Sequence, residues 1–148
     1  MIDFTIELKN RRTMPSKQIV ICEDDIENQI KLLTTIGSLF DPQGDVEISV
    51  ISGAIAASEV IANRSLIILD HDMPYGNGMD LLRYIQEQKI AATVITASGI
   101  ESNNQRMKAY CDLNHIECYC LSKRQVIAGE ANSLILSDRK STRLNSSH

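Results

Sequence analysis

The chain has 148 residues, a one-domain length with enough apolar content for one real core. Its formal net charge is −4, which argues against direct nucleic-acid binding and against adhesion to anionic membranes. No apolar run approaches the length of a membrane span and no signal-peptide core opens the chain, so a cytoplasmic location is expected.

Residues 1–16 read as an N-terminal extension. MIDFTIEL alternates Ile2, Phe4, Ile6 and Leu8 as a strand does, yet the polar KNRRTMPS follows, and a frayed or mis-assigned extension is favoured over a working strand. Met14 is an alternative start, because Pro15-Ser16-Lys17 leads directly into a short apolar strand at 18–22. Ile26, Ile30, Leu33, Ile36 and Phe40 then recur at helical spacing until Asp41-Pro42-Gln43-Gly44 stops them. A second strand is expected at 46–51, a short helix around Ala54, Ala57 and Ile61, and a third strand at 66–69. Gly76 and Gly78 mark a flexible loop before a helix carrying Leu81, Leu82 and Ile85. A fourth strand at 93–95, a polar helix near 101–111, a fifth strand at 116–121 and a final helix with Ile127, Ala131 and Leu134 complete the pattern. Strict strand–helix alternation predicts an α/β fold, (βα)5, with right-handed crossovers and helices on both faces. The expected architecture is a doubly wound parallel five-stranded sheet of flavodoxin-like order 2-1-3-4-5.

The last eleven residues, DRKSTRLNSSH, have no periodicity and match, codon for codon, the conceptual translation of a common sequencing-library adapter. Residues 138–148 are therefore read as an assembly artefact. Without them the net charge falls from −4 to −6, and a downstream output domain would have been lost by truncation. Cys22, Cys111, Cys118 and Cys120 match no zinc spacing and are read as small buried thiols, with Cys118 and Cys120 on one strand face.

Polar groups close the apolar runs: Glu23-Asp24-Asp25 after the first, Asp70 in LIILDHDMP, Thr96 in VITAS and Lys123 in CLSK. A parallel sheet gathers all of them at its carboxyl edge. A carboxylate attacks phosphorus poorly because both carry negative charge, and a divalent cation between them removes that repulsion. Magnesium takes a few carboxylates plus water and phosphate oxygens, so Glu23, Asp24 and Asp70 suit Mg2+ beside an aspartate that accepts a phosphoryl group.

These stretches, above all LIILDHDMPYGNGMDLL (66–82) and IVICEDD (19–25), resemble the receiver domain of two-component response regulators, over residues 17–136. The resemblance implies a receiver domain at 17–137 in which Asp70 is the phosphoacceptor and the main-chain carbonyl of Asp72 is a further metal ligand. It implies that the Thr96 hydroxyl and the Lys123 amine meet phosphoryl oxygens, and that the Asp72 position tunes the lifetime of the acyl phosphate. The donor would be a histidine kinase or phosphotransfer protein, acting toward an output protein or a missing downstream domain. Such a domain is not an enzyme beyond self-phosphorylation from small donors and autodephosphorylation.

Two positions depart from the family pattern. Arg124 stands where a proline usually follows the lysine, and Cys120 stands where an aromatic usually precedes it, with Tyr119 adjacent on the opposite strand face. The stretch between Thr96 and Lys123 is also longer than usual. These departures favour a second reading, a phosphorylation-independent pseudo-receiver acting as a protein-interaction module; the intact acid, hydroxyl and amine set favours the first. Asp70-His71-Asp72 also fits the D-x-D of haloacid dehalogenase phosphohydrolases, but the acidic pair comes first in the chain and Pro74 occupies the expected Thr position. His71 and His115 are expected to face solvent with no role.

Overall fold

The computed structural model describes residues 15–137; the readings of 1–14 and 138–148 lie outside them. Strands β1 (Lys17–Cys22), β2 (Val46–Ile51), β3 (Leu66–Leu69), β4 (Thr93–Thr96) and β5 (Glu117–Tyr119) form one sheet. Every pairing is parallel and the order is β2-β1-β3-β4-β5, as the alternation predicts. The connections hold α1 (Ile26–Gly37), α2 (Ala54–Ser58), α3 (Gly78–Gln88), α4 (Glu101–Leu113), α5 (Lys123–Ile127) and α6 (Asn132–Leu136).

The three central strands each bury four consecutive residues, apolar but for the two threonines of β4, because both their faces are covered. Val20, Cys22, Ile67, Leu69 and Val94 pack with residues of α2, α3 and α4 on one face. Ile19, Ile21, Leu66, Ile68 and Ile95 pack with α1, α5 and α6 on the other. Each large side chain buried this way contributes roughly 1.5–3 kcal/mol.

Three expectations about the helices and the last strand are corrected. On α1 the buried residues are Leu32 and Ile36, while Ile26, Ile30 and Leu33 are 70%, 60% and 42% exposed. Two stripes on this helix have helical spacing, and tertiary bonds choose between them. Asp25 caps the helix through Asn28 N–H, Gln29 Nε2 donates to the Glu23 carbonyl, and Thr35 Oγ1 donates to the Ile127 carbonyl. The final helix is two short ones, broken where Gly129 takes φ +92°, a left-handed conformation that glycine adopts without steric cost. The fifth strand ends at Tyr119, so Cys120 lies beyond it and is exposed, contrary to its reading as a buried thiol on the face of Cys118.

Strand register aligns the polar groups. Cys22 pairs with Leu69, and Leu69 with Thr96, so Glu23 and Asp70 leave neighbouring strands at one level, one residue beyond the level of Thr96 on the next strand. The ladder continues one step past the strands, with Glu23 N–H on the Ile51 carbonyl and Asp70 N–H on that of Cys22.

Candidate functional site

Glu23 is fully buried at the end of β1, and its Oε2 accepts the N–H of Asp25 at 3.1 Å. Asp25 extends that turn into α1 as its N-cap, with Oδ2 accepting Asn28 N–H at 3.0 Å. Asp24, between them, is exposed. Asp70 follows β3 and is 5% exposed, with Oδ1 accepting the N–H of His71 at 2.9 Å. One carboxylate oxygen each from Glu23, Asp24 and Asp70 lies within 4.8 Å of the others.

Lys123 reaches this cluster because of how α5 begins. Ser122 caps the helix in a reciprocal box with Gln125, and a parallel bridge from Ser98 to Ser122 extends the β4–β5 pairing beyond β5. Lys123 N–H donates to the Ser98 carbonyl at 3.1 Å. As the first residue of α5, Lys123 places Nζ 2.7 Å from Glu23 Oε1 and 3.5 Å from Asp70 Oδ2.

The charges do not balance. Two buried carboxylates face one ammonium, and exposed Asp24 adds a third negative charge at the rim. Burial, then repulsion from Glu23, raises the Asp70 pKa from 3.8 to about 6, against the opposing pull of Lys123 and the His71 N–H. Burial alone would lower the Lys123 pKa, but its hydrogen bond to Glu23 and the attraction of Asp70 and Glu23 outweigh that and hold it above the usual lysine value. An all-oxygen donor set with surplus negative charge fits a hard divalent cation such as Mg2+. The fourth ligand expected by resemblance, the Asp72 carbonyl, belongs to a residue lining an open groove with Asp24, Met73, Pro74 and Asn77.

Thr96 ends β4 fully buried, and its hydroxyl is engaged elsewhere. Oγ1 donates to the Leu121 carbonyl at 2.6 Å and accepts the Leu121 N–H at 2.8 Å, completing the pairing just past β5. Glu23, Asp24, Asp70 and Lys123 thus converge, while the Thr96 side chain closes on backbone. Cys120 and Arg124, which occupy the departing positions, line a second cavity with Gly99, Glu101, Leu121 and Gln125.

His71 does not face solvent as expected: it is buried, with Nδ1 2.7 Å from Asp72 Oδ1. Only the folded packing reveals this. His115 is exposed as expected, with φ +58°. Asn104 escaped the sequence reading too; its buried amide binds both the N–H and the carbonyl of Ser98 and so braces the segment that Lys123 leans on. The signal was present in the polar residues Asn103 and Asn104 of α4, but nothing in the sequence says that they point inward. Gly78 is the first residue of α3 rather than loop. A side chain there would sit 2.7 Å from the Asp70 carbonyl and from Met107 Sδ, so glycine lets α3 approach the end of β3.

No family model matches the chain, and no curated protein matches it by sequence. Solved structures do match. A response regulator from Colwellia psychrerythraea superposes with TM-score 0.63 at 24% identity, over 80% of this chain and 96% of that one. A response regulator receiver domain from Rhodospirillum rubrum gives 0.63 at 21% identity, over 80% and 91%. TrrA from Thermotoga maritima, solved in complex with Mg(2+)-BeF, gives 0.60 at 20% identity, over 81% and 99%. Residues 15–137 have the fold of a response regulator receiver domain, the fold that the resemblance of IVICEDD and LIILDHDMP implies.

Proposed function

We propose that the chain is a two-component receiver that takes a phosphoryl group onto Asp70 from a histidine kinase or phosphotransfer protein, with Mg2+ as cofactor. The observation that carries this is a nearly buried aspartate of raised proton affinity, met by the Lys123 ammonium and grouped with two further carboxylates. Glu23, Asp24 and Asp70, with the Asp72 carbonyl, would hold the cation, which offsets the repulsion between carboxylate and phosphoryl oxygens. Asp70 is the nucleophile, and Lys123 stands ready to pair with a phosphoryl oxygen. Thr96 is assigned to another phosphoryl oxygen, which it reaches only by letting go of Leu121. That one structural relative was solved with Mg(2+)-BeF supports the metal assignment by analogy of fold. The role is that of a phosphoacceptor toward an output protein or a further domain, not that of a turnover enzyme.

The test is incubation with a small-molecule phosphodonor and magnesium, read by intact mass beside Asp70→Ala. A labile adduct of one phosphoryl group that requires both magnesium and Asp70 is expected. The Thr96–Leu121 bonds, with Cys120 and Arg124 at the departing positions, favour a second reading, the pseudo-receiver that binds a partner without phosphate. A folded protein that takes no adduct would decide for it.

A further inference from the structure

His71 holds two carboxylates at once. Its main-chain N–H donates to Asp70 Oδ1 at 2.9 Å, and its ring Nδ1 lies 2.7 Å from Asp72 Oδ1. A carboxylate there can only accept, so Nδ1 carries the proton of this bond. The ring is anchored: its side chain is 10% exposed, and Nε2 is buried with no hydrogen-bond partner among the described residues. The first residue of α3 presses on the same spot, where a side chain on Gly78 would come within 3.2 Å of His71 Cα. Asp72 is the exposed partner, its side chain 67% exposed, and it lines the groove that also contains Asp24.

We infer that His71 is a positioning residue that holds the Asp72 carboxylate away from a phosphoryl group on Asp70 and thereby lengthens the life of the phosphorylated state. This rests on the phosphoacceptor reading of Asp70. The acyl phosphate decays when water attacks phosphorus: the bond between phosphorus and the Asp70 oxygen breaks, the water oxygen joins the phosphate, and Asp70 returns as carboxylate. The proton lost by the water needs an acceptor. A carboxylate free in the groove beside the metal-binding acids is such an acceptor, whereas one whose oxygen is already engaged by an N–H is withheld from the water. A buried ring bonded to an exposed carboxylate therefore acts as a restraint on hydrolysis.

The test follows decay of the phosphorylated protein by intact mass after removal of the donor, in magnesium. His71→Phe keeps an aromatic ring and removes the N–H; decay at least about tenfold faster is expected, a modest share of what a positioned general base supplies. His71→Asn, whose amide N–H stands near the place of Nδ1–H, should restore the wild-type lifetime. Against an Asp72→Ala background, His71→Phe should bring no further acceleration, because the base that it would release is absent. If His71→Phe fails to fold, His71→Met serves in its place. Decay of the ring variant at the wild-type rate or slower would overturn the inference, as would equal acceleration with Asp72 absent, which would assign the effect to packing alone. A wild-type protein that takes no phosphoryl group would overturn the phosphoacceptor reading itself, and this inference with it.

Discussion

A carboxylate at the end of a central strand holds its charge at a cost in this fold, and the cost depends on pH. The Asp70 pKa is raised from 3.8 to about 6 in the folded chain, so folding disfavours its ionised form. The penalty is absent below the unfolded pKa, grows between about pH 4 and 6, and is fully present above that. Asp70→Asn is therefore expected to stabilise the metal-free protein by about 3 kcal/mol at pH 8, with the advantage vanishing near pH 3.5. Urea unfolding of both proteins at the two pH values checks this. Lys123 behaves in the opposite way. Lys123→Met leaves buried Glu23 without its cation and should cost about 3 kcal/mol at neutral pH in the same assay. The acids and the lysine were legible because each closes an apolar run, and parallel strands carry such ends to one edge. The inward turn of His71 was not, since burial at that point comes from α3 and is invisible in the residues flanking it.

Among the elements, α1 shows where periodicity stops being informative. Ile36 of the expected stripe is buried, but its partner there is Leu32 and not Ile26, Ile30 or Leu33; both sets share the helical spacing, and bonds to Glu23 and Ile127 fix which of them meets the sheet. Leu32→Ala should cost about 2–4 kcal/mol, and Ile30→Ala less than about 1 kcal/mol, in chemical denaturation. The opposite ranking would show that the helix is rotated. The start of α3 is another close fit. Gly78→Ala drives a methyl group to 2.7 Å from the Asp70 carbonyl and from Met107 Sδ, and a loss of about 2 kcal/mol is expected by the same measurement. The β-strands were the most legible elements, being short runs bounded by polar residues. The split between α5 and α6 was hidden because Ile127, Ala131 and Leu134 keep a plausible helical spacing across Gly129.

For the molecule as a whole, surplus negative charge at one edge is expected to make stability sensitive to divalent cations. A ligand that binds only the folded state stabilises it by mass action, by about 2.7 kcal/mol at a hundred times its Kd. Magnesium is expected to raise the midpoint of thermal unfolding, and Asp24→Asn, at an exposed position, should weaken that rise without harming the metal-free fold. Differential scanning calorimetry with and without magnesium measures both effects. Alternation with right-handed crossovers left few ways to wind five strands, and the flavodoxin-like precedent picked out the order found. The engagement of Thr96 was not readable, because it depends on β5 stopping at Tyr119 and leaving Leu121 to be paired by a side chain.

That pairing carries a consequence for communication across the sheet. A hydroxyl has one proton, and Thr96 spends it on the Leu121 carbonyl. If the proton turns to a phosphoryl oxygen, the Leu121 carbonyl loses its donor, so holding a phosphoryl group and keeping the chain closed just past β5 would compete for a single hydrogen atom. Competition of this kind is symmetric. Any partner that supplies Leu121 with a substitute donor would favour the phosphorylated form by the same factor by which phosphorylation favours the partner. Occupancy at Thr96 would then be reported through the main chain at Leu121.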